Sequence, residues 1–168
     1  MALYFITGNA GKFREIKAIL PQVEQLDIDL DEIQSLDPQK VIEHKLAQAA
    51  AHHDGEFLVE DTSLTFNCLG KLPGTYIKFF EQSLGIDGTA DLVMRYEDRS
   101  AFSDTIIGYR DLQGMDHYFS ASLQGESVAP RGSNGFGYDQ IFMQWGQTQT
   151  FAEMKRYEKG RKEKGVQR

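Results

Sequence analysis

Three short stretches hold the residues best able to do chemistry. Thr7-Gly8-Asn9-Ala10-Gly11-Lys12 is turn chemistry between an apolar run, residues 2–6, and a helix-like segment. Such a strand–helix junction aims backbone N–H groups and the positive end of a helix at one spot, which suits an anion. Lys12 adds a full positive charge. The stretch is not a P-loop, because four residues should separate the glycine from Gly-Lys, and Phe13 stands where Ser or Thr belongs. By itself it also reads as an ordinary turn between a strand and a helix.

The second stretch, Phe57-Leu58-Val59-Glu60-Asp61-Thr62, takes an apolar strand into two adjacent carboxylates. Carboxylates at the carboxyl end of a sheet strand face the crevice where α/β proteins bind ligands. They suit Mg²⁺, which takes one or two carboxylates plus phosphate and water, and one of them could orient or deprotonate a water. Neighbours on a strand point to opposite faces, so Glu60 and Asp61 need not share one metal. Solvated acids at a strand end are the plain alternative. The third stretch, Pro130 to Asp139, combines flexible glycines with Phe136, Tyr138 and Asp139. An aromatic there can stack on a nucleobase whose edge Asp139 or backbone groups read; the alternative is a hairpin loop with a core Phe.

The elements that must position these residues follow from periodicity and punctuation. The segment Lys12 to Leu20 predicts a helix stopped by Pro21, and Val23 to Ile28 a second strand. Asp37-Pro38 is an N-cap with proline at the first helical position. That helix runs to about His52 on a stripe of Val41, Ile42, Leu46, Ala49 and Ala50. Phe57 to Val59 is a strand ending on Glu60-Asp61. Leu72-Pro73-Gly74 opens a further helix carrying Ile77, Phe80 and Leu84, and Thr89 to Tyr96 is another. Phe102 to Tyr109 and His117 to Leu123 form a strand pair about Gln113-Gly114. Tyr138 to Phe142 reads as a strand, and Phe151 onward as helix.

One mixed-sheet α/β domain of 168 residues is the economical architecture. The net charge of −7 argues against a nucleic-acid partner. No apolar run is long enough to span a membrane, and a lone Cys68 points to a reducing cytoplasm. Charge is uneven: Lys155 to Arg168 holds seven Lys/Arg against two Glu, so an acidic body precedes a basic tail. An acidic body that binds a polyanion needs a local cationic site, a divalent metal, or both.

In order and spacing, the three stretches resemble the inosine-triphosphate pyrophosphatase family. Its pattern Thr-Gly-Asn-x-x-Lys-x-x-Glu is met by Thr7, Gly8, Asn9, Lys12 and Glu15, and its acidic strand by Val59 to Thr62. Leu72-Pro73-Gly74 with Tyr76-Ile77-Lys78, the Pro130–Asp139 loop and Thr150-x-Ala152-Glu153-Met154 match later motifs. The resemblance implies an elongated mixed sheet flanked by helices, two lobes around a central cleft, usually as a homodimer. It implies Mg²⁺-dependent cleavage of ITP, dITP or XTP between the α- and β-phosphates. By that likeness Thr7, Gly8, Asn9, Ala10, Gly11 and Lys12 hold the triphosphate, and Asp61 is the general base at or near the metal, with Thr62 beside it. Glu60 and Glu43 are further metal candidates. Phe136, Gly137, Tyr138 and Asp139 take the purine, and Lys159 is another ligand contact.

Two departures stand out. Counting back from Lys45 to the family's metal-binding Glu lands on Lys40. Glu43, one turn on, could take over as ligand. Either the Lys40 ammonium lies near Asp61 and partly replaces the metal's charge, which preserves nucleotide binding more than hydrolysis and favours a silent binder, or it swings to solvent and weakens metal binding only modestly. Where the family continues to Ser-His-Arg, this chain has Glu163-Lys164-Gly165, which implies altered base selectivity and a missing closing helix. The basic tail, residues 155–168, either caps the cleft or is a solvated, disordered end.

Overall fold

The computed structural model describes residues 2–154. In chain order the elements are β1 (Leu3–Ile6), α1 (Ala10–Ile19), β2 (Glu24–Leu26), α2 (Pro38–His52) and β3 (Glu56–Phe66). A 3₁₀ turn (Asn67–Leu69), β4 (Pro73–Gly74), α3 (Ile77–Met94), β5 (Ser100–Arg110) and β6 (Asp116–Ser127) follow, then a second 3₁₀ turn (Gly137–Gln140) and β7 (Phe142–Gln144). The strands form one mixed sheet in the order β2-β1-β3-β5-β6-β7, with β4 beside β3. The chain divides into two compact units, and β3, β5 and β6 contribute residues to both.

In the first unit, residues 1–61 with 105–120, alternation along the strands decides which helix each side chain meets. β2 and β3 both pair parallel to β1, with Tyr4 opposite Glu24 and Phe57. Phe5 and Leu58 pack with Phe13 and Ile16 of α1, while Ile6, Phe57 and Val59 pack with Ile42, Leu46 and Ala49 of α2. β5 repeats the rule: Ile106 faces the α2 cluster, Ile107 and Tyr109 the α1 cluster. Each fully buried leucine or phenylalanine here contributes about 1.5–3 kcal/mol. α2 starts as its sequence requires, Asp37 Oδ1 accepting the Gln39 N–H at 3.0 Å ahead of Pro38.

The second unit is Thr62–Asp104 with the described residues from Ala121 onward. Its core gathers Leu64 and Phe66 of β3, Ile77, Ala90 and Val93 of α3, and Leu123, Ile141, Phe142 and Phe151. Gly85 breaks α3 with a φ of 72°, a conformation only glycine adopts freely, so the two helices read from the sequence are joined across a kink. Cys68 is half-buried against this core, and burial pushes its thiol up, against a nucleophilic role.

Three elements differ from the sequence reading. β3 does not stop at Glu60-Asp61 but runs on to Phe66, where β4 pairs with it antiparallel. Its parallel neighbour β1 ends at Ile6, however, so the two carboxylates lie just past the carboxyl end of β1. Tyr138 to Gln140 is a 3₁₀ turn rather than strand, closed by the Asp139 carboxylate on the Phe136 N–H. Trp145 is exposed. The helix expected from Phe151 is a turn as far as Met154 and otherwise lies outside the described residues. Among the described residues no helix is long and apolar enough to cross a membrane.

Candidate active site

The Thr7–Lys12 segment is pinned at both ends. The Thr7 carbonyl accepts from Gln25 Nε2 at 2.8 Å, and Thr7 Oγ1 accepts the Asn9 N–H at 3.0 Å. Asn9 caps α1, its Oδ1 accepting the Gly11 and Lys12 N–H groups at 2.9 and 3.1 Å. Two of the first-turn donors expected to cradle an anion are therefore taken by the cap. What remains attractive to an anion is the helix terminus itself and the Lys12 ammonium, with Gly8, Asn9 and Ala10 exposed beside it.

Alternation on β3 then places the carboxylates. Leu58 lies on the α1 face of the sheet, so Glu60 extends toward α1. There its Oε1 sits 3.2 Å from Lys12 Nζ, with the glutamate side chain only 9% exposed and the lysine 20%. Phe57 and Val59 lie on the α2 face, so Asp61 extends toward α2, where its Oδ1 lies 3.2 Å from Lys45 Nζ. Lys45 also reaches Glu32 Oε1 at 3.1 Å and donates to the Glu60 carbonyl at 3.3 Å. Two lysines thus flank one strand segment, one from each helix, and each holds a carboxylate. Lys12 and Asp61 are close enough that the ammonium acts on the Asp61 carboxyl.

Burial pushes the Asp61 carboxyl above the ordinary carboxylate range, although Lys45 and then Lys12 pull it down; the negative Glu32 adds to the rise. Burial also opposes charge on Lys45, but Asp61 and Glu32 outweigh it and hold the ammonium above its usual value. Among the described residues, nothing donates a hydrogen bond to the buried Asp61 Oδ2. A buried carboxylate oxygen without a donor is costly and is a place for a cation.

Not every candidate joins this cluster. Glu43 is exposed and is held by Gln39 Nε2 at 3.0 Å. It lies two residues from Lys45, about 200° around the helix, so it points away from Asp61, and its charge is felt at Tyr118 instead. The acidic neighbour of Asp61 is Glu32, in the loop before α2. Lys40 is exposed as well; among the described residues the cations acting on Asp61 are Lys45 and Lys12. Glu60 faces Lys12 rather than sharing the Asp61 side. Sequence reasoning missed Glu32, which sits in an aperiodic acidic loop. It used Lys45 only as a landmark, yet a lysine four residues after Val41 and four before Ala49 falls in the buried stripe of α2, and that was a readable signal.

In the second unit, the Phe136–Asp139 loop is held by its own polar groups. Tyr138 is buried, its hydroxyl donating to the Ser63 carbonyl at 3.3 Å and lying 2.8 Å from Ser103 Oγ. Asp139 Oδ2 accepts the Phe136 N–H at 3.0 Å. Both side chains brace the loop, which leaves half-buried Phe136 and the Gly137 backbone as the groups able to meet a base. The Thr150–Glu153 turn clamps the same loop. The Ala152 carbonyl accepts the Ser133 and Asn134 N–H groups at 3.2 and 2.9 Å, and Arg131 pairs with Glu153 at 2.7 Å. Gly132, with φ 91°, sits so close that a Cβ would lie 2.5 Å from the Ala152 oxygen. Thr62 follows Asp61 on β3 and is half-buried. Lys159 lies outside the described residues.

A mixed α/β sheet that sets two ammonium groups and three carboxylates around the end of its first strand suits one class, proteins that handle phosphate polyanions. Comparison with known proteins agrees with that class. The Ham1 family pattern matches residues 3–164. The chain belongs to the Ham1 family. It is 44% identical over 161 residues to a Fusarium vanettenii protein named inosine triphosphate pyrophosphatase, covering 94% of this chain and 86% of that one. It is 45% identical to the Neurospora crassa protein of the same name, covering 94% and 83%. Among solved structures, the Ham1 protein of Staphylococcus aureus superimposes with a TM-score of 0.77 at 23% identity, covering 96% of this chain and 93% of that chain. A Mycobacterium abscessus structure titled nucleoside-triphosphatase / dITP/XTP pyrophosphatase does so with 0.76 at 22%, covering 99% and 96%.

Proposed function

We propose that this protein hydrolyses the non-standard purine nucleoside triphosphates ITP, dITP and XTP to the monophosphate and pyrophosphate, clearing them from the cytoplasmic nucleotide pool. The observation that carries the reading is the pairing of Lys12 with Glu60 and of Lys45 with Asp61 and Glu32 around one strand segment. The Ham1 family membership supports it, as do the inosine triphosphate pyrophosphatase relatives.

The triphosphate lies against Thr7 to Lys12, with the ammonium groups of Lys12 and Lys45 as counter-charges. Asp61 is the general base, because its raised affinity for protons brings it nearer the working pH than an ordinary carboxylate. It takes a proton from water as the water oxygen bonds to phosphorus. The bond between the α- and β-phosphates breaks, and pyrophosphate leaves with the electron pair. Among the described residues no group of three or more His, Cys, Asp or Glu could hold a metal alone. Two carboxylates with phosphate and water are nonetheless what Mg²⁺ takes, and Asp61, whose Oδ2 has no donor among the described residues, fits it with Glu32, which meets the same Lys45. Mg²⁺ held by Asp61 and Glu32 would neutralise phosphate charge.

Phe136 stacks on the purine, with Gly137 beside it and Tyr138 and Asp139 holding the loop; Thr62 and Lys159 are further contacts on the family pattern. A donor facing the 6-oxo group of hypoxanthine or xanthine would be left unpaired against the amino group of adenine. The active form is a homodimer, which light scattering of the purified protein checks. The central test is pyrophosphate release from ITP, XTP, dITP, ATP and GTP with Mg²⁺. The 6-oxo non-standard purines should exceed ATP in kcat/KM by about 10²-fold or more. No turnover, or equal turnover of ATP and ITP, ends the reading.

A further inference from the structure

The two lysines of the site are not equivalent. Lys45 is held by Asp61 and Glu32, the carboxylates assigned to Mg²⁺. Lys12 is held by Glu60, which alternation places on the α1 face of the sheet, with its side chain almost wholly buried. The carboxylate opposite Lys12 therefore stands apart from the pair that would meet a metal.

We propose that Glu60 is a positioning residue acting through Lys12: it engages the ammonium so that the phosphate loop binds a polyanion well only after a divalent cation has neutralised part of that polyanion's charge. The identity of the polyanion, a nucleoside triphosphate or its pyrophosphate product, rests on the function proposed above.

The charges set the direction. Lys12 and Lys45 stand against Glu60, Asp61 and Glu32, two positive charges against three negative, a net of −1. A metal-free pyrophosphate carries several more negative charges and finds no net attraction from these five groups. With Glu60 neutral the sum is zero, and the whole charge of Lys12 faces the anion. The opposing effect is the freedom that Lys12 regains when its tether is lost. That is the entropy of one side chain, whereas an ammonium no longer neutralised by Glu60 attracts every charge of the polyanion at once. Electrostatics wins. Glu60 thus weakens binding of free nucleotide and of metal-free product, and the arrangement selects the metal complex.

The test is calorimetric titration of inorganic pyrophosphate in EDTA against wild type, Glu60→Gln, Lys12→Met and the double variant. Glu60→Gln should bind metal-free pyrophosphate about tenfold more tightly than wild type, about 1.4 kcal/mol, a gain that damage to the fold does not imitate. In the Lys12→Met background the same substitution should change affinity by less than about threefold, since paired residues are not additive. Glu60→Ala gives the same reading should the glutamine variant fail to fold. Binding by Glu60→Gln no tighter than wild type overturns the proposal. So does a tenfold gain that persists without Lys12, because Glu60 would then act on the anion directly. If wild type is inert toward ITP with Mg²⁺, the functional reading fails separately, and the pyrophosphate titration still decides the role of Glu60.

Discussion

Replacing Lys45 by methionine keeps the length and apolar stem of the side chain and deletes only its charge. The ammonium lies 3.2 Å from Asp61 Oδ1 and 3.1 Å from Glu32 Oε1, on a side chain only 9% exposed. Removing one partner of a buried ion pair costs about 3–5 kcal/mol, because the other charge stays behind. Glu32 is 52% exposed, so water screens its share and the loss falls mainly on Asp61. The low end, about 3 kcal/mol, is the working figure. At about 2–4 °C per kcal/mol for a chain of this size, melting at pH 8 should fall by about 6–12 °C. The pH dependence is the sharper check. Burial already holds the Asp61 carboxyl above its ordinary range, and Lys45 is the largest opposing influence; without it the carboxyl rises further. An acid whose folded pKa exceeds its unfolded value weakens the fold at high pH and ceases to do so once protonated. The gap between variant and wild type should therefore narrow as pH falls through the folded value of Asp61 toward 3.8. Thermal melts of both proteins across that range decide it. A fall of under about 2 °C at pH 8, or a gap that widens on acidification, refutes the account.

Asp61→Asn should lower kcat for ITP by about 10³-fold or more while ITP still binds; in wild type the rate should climb with pH on a limb above the ordinary carboxylate range, because the base works only deprotonated. Lys40→Glu should leave kcat/KM for ITP within about twofold, since Lys40 is exposed and, among the described residues, the cations acting on Asp61 are Lys45 and Lys12; restoration of a dead enzyme by this change would place Lys40 at the base after all. Gly132→Ala should destabilise by about 1–3 kcal/mol in urea denaturation, its Cβ meeting the Ala152 carbonyl at a positive φ. Tyr138→Phe removes a hydroxyl bonded to Ser63 and Ser103, so stability should drop by about 1–2 kcal/mol with KM for ITP unchanged.

Much of the fold is local, and local signals were readable. Asp37 caps α2 ahead of Pro38, as a side-chain acceptor before a proline should, and the short apolar runs around Leu3–Ile6 and Phe57–Val59 are buried strands. The local structure of two candidate stretches was readable too, since Gly8, Asn9 and Lys12 lie at a strand–helix turn and Glu60 and Asp61 follow apolar residues of a strand. The extent of β3 was not readable, because its last residues are held by β4, a partner found only on folding. Nor was the split of the carboxylates. Period two implies that Glu60 and Asp61 diverge, but which helix each one meets depends on how α1 and α2 cover the two faces of the sheet.

Glu32 is the clearest case of what only tertiary structure decides. Its loop carries no period and no cap, and it comes to Lys45 through the placement of α2 against β3. Glu43 and Lys40 are charged residues of the same helix as Lys45 and near it in sequence, yet both are exposed. Side-chain type and spacing establish which residues can do phosphate chemistry. Which of them meet follows from helix rotation against a sheet, a long-range packing outcome that short-range residue order does not encode.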